Sequence, residues 1–206
     1  MRQGVLVGCD QEQEWLLKWW WNNFRKHNRY RVAFVDFGMS EEAKAWCKSK
    51  GDLIKLDIKL PVHLVKPLAF LQSPFRNTVW IDLDCEITGS IAPIFQKIHA
   101  YSGVALVSEP GDVGYNSGVV AFEKDSVLIS RWAEACLQHH MSSFCQNDLL
   151  GFVILHEEIE IAELPSKYNW RFKNGVNHEA VIIHWQGEWG KEVLRRTLDG
   201  VPGHRL

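Results

Sequence analysis

No two of the five cysteines, Cys9, Cys47, Cys85, Cys136 and Cys145, sit at CxxC spacing, and their number is odd. That excludes a zinc ribbon and argues against a disulfide framework, leaving reduced thiols of the kind cytosolic proteins carry. Neither sign of charge is in excess. Twenty-three Lys and Arg stand against 25 Asp and Glu, and a net charge of −2 argues against a dedicated nucleic-acid binder. No apolar run approaches the ~20 residues of a membrane span, so no transmembrane segment is expected. The first residues enter a strand with no charged-then-apolar leader. The expectation is a cytoplasmic protein, with export by a non-standard route left open. Repeats, linkers and low-complexity tracts are also missing. A chain of 206 residues without such breaks reads as a single domain, 1–206, with a substantial core.

Ten tryptophans are many for this length. Trp supplies flat, amphipathic contact area that suits sugars, bases or a partner surface, although most of the ten read as core. A strand over 4–9 stops at Asp10. Trp15, Leu16, Trp19, Trp20 and Phe24 recur at helical spacing across 12–27. A strand over 30–35 leads to Asp36-Phe37-Gly38, read as a turn. Ser40, with Glu41 and Glu42 behind it, starts a helix that Gly51 ends. A short strand over 53–56 and a helix over 62–71 follow, with Pro67 placed near the first turn. Strands over 104–108 and 118–122 flank a Gly- and Asp-rich loop, 109–117. Helices are expected over 126–140 and 146–155. This alternation predicts an α/β fold, a mostly parallel sheet flanked by helices. Ligands of such sheets gather at the carboxyl ends of the strands. Asp10, Asp36, Asp82 and His184 each fall where a strand ends.

The densest chemistry lies in 78–87, TVWIDLDCEI. Strand alternation puts Asp82 and Asp84 on one face. Two carboxylates at the end of a buried strand are costly unless a cation joins them. A hard divalent ion with a phosphate-bearing ligand, Mg²⁺ or Mn²⁺, is the candidate. A second apolar run, 180–185, carries His184 near its end and is followed by Gly187, Gly190 and Lys191. These would add an imidazole ligand, adaptable backbone and an ammonium for phosphate. Each has a bland reading as well. An Asp-x-Asp after a strand is more often a turn, His184 alone a satisfied core histidine, and Lys66 alone a solvated helix residue. Their joint occurrence raises the metal reading above these.

The order of elements resembles a GT-A (Rossmann-like) nucleotide-sugar glycosyltransferase, nearest to the glycogenin-like, family 8-like group. Asp82-Leu83-Asp84 matches that family's DxD motif, and Lys66 the lysine that often precedes it. Tyr115-Asn116-Ser117-Gly118 is similar to its N-(S/A)-G strand, Leu164-Pro165 with Tyr168-Asn169 to its late loop, and His184-Trp185-Gln186-Gly187 with Lys191 to its closing segment. The resemblance implies a metal-dependent transfer of a hexose from a UDP-sugar to an unknown acceptor, with retention. Two halves follow from it, a nucleotide-binding half about 1–86 and a sugar/acceptor half about 87–206.

It further implies Mn²⁺ (or Mg²⁺) on Asp82, Asp84 and His184. Cys9, Asp10, Lys66, Asp82, Leu83, Asn116, Gly187, Gly190 and Lys191 would contact the donor. Lys66 and Lys191 would oppose the developing phosphate charge. Where the family often carries Asp-Gln, this chain reads Gln146-Asn147-Asp148. Either Asp148 serves from a shifted position or an amide, Gln146, takes the role. The competing reading is a non-catalytic sugar-nucleotide- or protein-binding relic of the same fold. A nucleotidyltransferase is disfavoured by the acidic Asp10-Gln11-Glu12, and a dehalogenase-type phosphatase by Glu86.

Overall fold

A computed structural model describes residues 3–56, 60–108, 114–139 and 144–199. The first half alternates strands and helices. β1 (Gln3–Cys9) is followed by a 3-10 turn (Glu14–Leu16) that runs into α1 (Leu17–His27). β2 (Arg31–Asp36), α2 (Glu41–Lys50), β3 (Asp52–Lys55), α3 (Val62–Leu71) and β4 (Asn77–Ile81) complete it. The expected Ser40 cap is present, its hydroxyl accepting from the Ala43 amide at 3.2 Å. Pro67 lies in the interior of α3, one turn further in than expected, where its ring removes one helical hydrogen bond.

The second half is β5 (Cys85–Ile87), α4 (Ala92–Lys97), β6 (Val104–Ser108), β7 (Tyr115–Glu123), α5 (Val127–Gln138) and α6 (Gln146–His156). The short strands β8 (Ala162–Glu163), β9 (Trp170–Arg171) and β10 (Ile182–His184) precede α7 (Gly187–Leu198). The loop expected over 109–117 is shorter, because Tyr115 already belongs to β7; residues 109–113 lie outside the described part.

Among the described residues, seven strands form one sheet in the order β3-β2-β1-β4-β7-β6-β8, with β7 antiparallel to both its neighbours and the other pairs parallel. The mostly parallel α/β architecture is therefore present. β1 leads outward to β2 and β3, whereas β4 lies on its other side. The carboxyl ends of β1 and β4 thus flank the point where strand order reverses, where an open sheet leaves a crevice. Alternation along the central strands separates two cores. Val5, Val7, Val79 and Ile81 face one layer with Trp20 and Phe24 of α1. Leu6 and Trp80 face the other, with Phe70 of α3 and Trp132 of α5. Trp20, Trp80 and Trp132 are buried in these cores, and Trp15, Trp19, Trp21, Trp46 and Trp185 pack against the first of them partly exposed.

Two expectations are corrected. The strand bearing the acids ends at Ile81, so residues 82–84 form a turn, closed by the Cys85 amide on the Asp82 carbonyl at 3.1 Å. His184 does not end a strand of the main sheet. β10 belongs to a separate three-stranded sheet, β5-β10-β9. Periodicity cannot tell which sheet a short apolar run will join. Among the described residues, no helix is long and apolar enough to cross a membrane.

Candidate active site

The turn after β4 carries the acid pair. The Asp82 amide donates to the Gly118 carbonyl at 2.8 Å, so the backbone stays tied to β7 as the chain turns. Lys66 reaches this turn from α3. Its Nζ lies 2.7 Å from Asp82 Oδ1 and 2.9 Å from Oδ2, and donates to the Ser117 carbonyl and hydroxyl oxygens at 3.2 Å each. Lys66 is 7% exposed, and an ammonium that deep is stable only when its protons are so engaged. The Trp80 indole donates to Asp82 Oδ1 at 2.6 Å, which fixes the carboxylate further.

His184 faces the acids from the small sheet. Its Nε2 lies 3.3 Å from Asp84 Oδ1 and 3.9 Å from Asp82 Oδ2. The other nitrogen, Nδ1, lies 3.0 Å from Asn169 Oδ1. Asn169 Nδ2 is committed to Asn116, donating to Oδ1 at 3.0 Å and to the carbonyl at 3.3 Å. The amide oxygen of Asn169 therefore faces the ring, which makes Nδ1 the donor and leaves the Nε2 lone pair toward the acids in the neutral ring. Asn116 Oδ1 also accepts from the Gly118 amide at 2.8 Å, and Asn116 Nδ2 donates to Gln186 Oε1 at 3.2 Å. A Cβ at Gly118 would collide with the imidazole, so the glycine supplies the room for the ring.

Burial alone would raise the Asp84 carboxyl, but His184 in its charged form, through attraction and hydrogen bonding, then Lys191 and Lys66, hold it below its ordinary 3.8. The buried Cys85 thiol is pushed up, first by burial and then by Asp84 and Asp82.

Asp84 and His184 are spaced as two neighbouring ligands of a hard divalent ion would be, whereas Asp82 lies farther from the ring and is held by Lys66. Neighbouring ligand atoms on an octahedral ion with ~2.1 Å bonds lie ~3 Å apart. The gap of 3.3 Å between Nε2 and Asp84 Oδ1 is close to that, and the 3.9 Å to Asp82 Oδ2 is wider. The imidazole is aimed by a hydrogen bond on its far nitrogen, as metal-ligating histidines are.

Lys66, Trp80, Asp82 and Asp84 line a cleft of about 170 Å³ together with Gly8, Cys9, Asp10, Gln13, Phe37, Leu83, Gln146 and Lys191; His184 lies behind the acids, outside this lining. Asp10 sits where β1 ends, its Oδ1 accepting from the Gln13 amide at 3.1 Å. Lys191 enters from α7. Gly187 starts that helix with φ of 81°, a backbone setting that favours glycine. Gly190 is explained by packing, since a Cβ there would strike the Trp185 carbonyl.

Of the two alternatives at the start of α6, Gln146 reaches the cleft, with its Nε2 3.5 Å from Ser117 Oγ. Asp148 is exposed and turns back, its Oδ2 accepting from the Cys145 amide at 2.8 Å in a capping box. Asn116 sits beneath the cleft as a hub. Asp36 is a turn residue as expected, its Oδ1 accepting from the Gly38 and Met39 amides at 2.9 and 2.7 Å. Sequence reading assigned no role to Asn169, Ser117 or Gly118. Asn169 closes the late Tyr168-Asn169 loop, and that position is the one signal that pointed to it.

No protein-family model matches the sequence, and no curated protein matches it. The architecture is that of GT-A glycosyltransferases, the group containing the solved structures it resembles. The glycosyltransferase GlyE of Streptococcus pneumoniae TIGR4, in its apo form, superposes with a TM-score of 0.71 at 15% identity over 91% of this chain and 55% of that one. WbbM, a bifunctional glycosyltransferase, gives 0.66 at 12% identity over 90% of this chain and 46% of that one. The galactosyltransferase LgtC, solved with donor and acceptor sugar analogs, gives 0.63 at 12% identity over 96% of this chain and 95% of that one. LgtC belongs to family 8, the group the sequence resembles. The chain spans about half the length of the GlyE chain. Identities this low define a shared fold.

Proposed function

We propose that this chain is a metal-dependent glycosyltransferase that moves a hexose from a UDP-sugar to an acceptor with retention of configuration. The observation that carries this reading is the convergence of His184 with Asp82 and Asp84 at the reversal point of a GT-A sheet. Asp82, Asp84 and His184 would hold Mn²⁺ or Mg²⁺; carboxylates with one imidazole favour Mn²⁺ over Ca²⁺. When bound, the ion neutralises charge on the departing diphosphate.

The chain's own groups do the rest. Lys191, which lines the cleft, opposes the phosphate charge. Lys66 holds Asp82 and keeps a positive charge beneath the donor. Asp10, with the backbone at Cys9, sits where a base or ribose enters a parallel sheet. Gln146 hydrogen-bonds the sugar hydroxyls in place of the expected Asp-Gln pair, while Asp148 caps α6. Leu83 and Gly187 border the diphosphate, and Asn116 supports the site through Asn169. Retention needs no protein nucleophile where the leaving phosphate assists attack on the same face.

The test is release of UDP from UDP-glucose, UDP-galactose and UDP-GlcNAc with Mn²⁺ present. Slow, Mn²⁺-dependent hydrolysis of at least one, abolished in Asp84→Asn, supports transfer. UDP-sugar binding without any turnover supports the non-catalytic relic instead.

A further inference from the structure

The donor set around His184 is wider than two acids and an imidazole. β5 and β10 pair antiparallel with His184 directly opposite Cys85. Opposed residues of an antiparallel pair project from the same face, with Cβ atoms about 4.5–5.5 Å apart. The turn at 82–84 brings Asp84 to the same place. One ligand atom from each of Asp84, Cys85 and His184 lies within 4.8 Å of the other two, and all three residues are buried. Asp82, by contrast, has both oxygens engaged by Lys66 and one by Trp80. The proposed transfer gives Cys85 no task; its Sγ lies 4.0 Å from the Gly118 carbonyl oxygen.

We propose that Asp84, Cys85 and His184 form a soft-metal site nested within the hard-metal site, which takes Zn²⁺ or Cd²⁺ and so excludes Mn²⁺. Its binding half stands on geometry; its competition half rests on the proposed metal-dependent transfer. Thiolate, imidazole and carboxylate are the donors of zinc, whereas hard ions take oxygen. With Zn–S near 2.3 Å and Zn–N near 2.0–2.1 Å, the ligand atoms must close by roughly 1 Å onto the ion, within reach of side-chain rotation. On binding, the S–H bond breaks, the metal–sulfur bond forms and one proton leaves to solvent. The site would then be a point of inhibition by zinc.

The experiment uses the full chain carrying Cys145→Ser, which removes the exposed thiol, after removal of metal. Cd²⁺ is titrated while ultraviolet absorbance reports thiolate-to-metal charge transfer. Mn²⁺ binding is read separately from the free-ion paramagnetic resonance signal. The expected result is a saturable charge-transfer band in this parent, with Cd²⁺ displacing bound Mn²⁺. Adding Cys85→Ser should remove the band and weaken Cd²⁺ by at least about tenfold while Mn²⁺ still binds. No band in the parent, or a band that survives Cys85→Ser, overturns the inference. Should Cys85→Ser fail to fold, Asp84→Asn decides, since the band must weaken there too. A parent that shows the band but binds no Mn²⁺ keeps the soft site and removes the proposed hard-metal reaction; one that binds Mn²⁺ without the band does the reverse.

Discussion

Lys66 holds Asp82 by both carboxylate oxygens, at 2.7 and 2.9 Å, from a helix that precedes the acid by one strand. The pair is sunk beside the crevice, and breaking it from the acid side leaves a buried ammonium with an amide for a partner. Asp82→Asn should therefore destabilise the protein by about 3 kcal/mol, at the low end for a broken buried pair because Ser117 still accepts from Lys66. Urea denaturation with an unchanged m-value measures this. Adding Lys66→Met to Asp82→Asn should recover most of the loss, since the buried charge goes too.

Asn169 aims His184 without touching the cleft. Asn169→Leu removes the acceptor for Nδ1 and the donor to Asn116 Oδ1 and to the Asn116 carbonyl. Mn²⁺ affinity should fall by roughly 10- to 100-fold, the range for losing the partner of a metal-ligating histidine. Titration of free Mn²⁺ reads the change. An unchanged affinity would show that the ring needs no such support.

Gly118 is where backbone and imidazole press together. Gly118→Ala must push the ring or the strand aside, at about 1–3 kcal/mol for overpacking. The denaturation midpoint should fall, and Mn²⁺ binding with it. A variant of full stability would mean the ring has space to retreat.

Burial pushes the Cys47 and Cys136 thiols up from 9.0 to about 12. Their contribution to stability is thus complete below pH 9. Above it the unfolded thiols ionise while the folded ones stay protonated, so stability falls as pH rises from 9 toward 12. Cys47→Ala should flatten that alkaline slope in urea midpoints taken across the same range. At neutral pH, a thiol reagent should label Cys145 quickly in the native protein and Cys9, Cys47, Cys85 and Cys136 after unfolding, because these four are buried.

The residues themselves made much of this legible. Period-two and helical spacing marked β1, α1, β2 and α2 to within a few residues, because each buries one clean face or a continuous apolar run. Asp82-Leu83-Asp84 and His184 stood out as charge at the ends of apolar runs. What stayed hidden is non-local. Nothing within 180–185 says that it joins β5 rather than the main sheet, and within 78–87 strand alternation competed with the turn that an Asp-x-Asp more often makes. The choice between Gln146 and Asp148 turned on a capping bond to the Cys145 amide, a competition between local backbone and cleft that spacing does not reveal. The role of Asn169 depends on four side chains from three separate segments meeting, and only the fold assembles them.

The central claim is that Asp84 and His184 hold a metal on which a uridine diphosphate group rests. Its most direct measurement is the thermal shift produced by UDP with and without Mn²⁺ in the wild-type chain, Asp84→Asn and His184→Ala, since a ligand of the folded state raises Tm by mass action. The expected result is a rise in wild-type Tm with UDP and Mn²⁺ together, larger than with either alone, and none beyond UDP alone in the two variants. An equal UDP shift in all three proteins, with or without Mn²⁺, would contradict it.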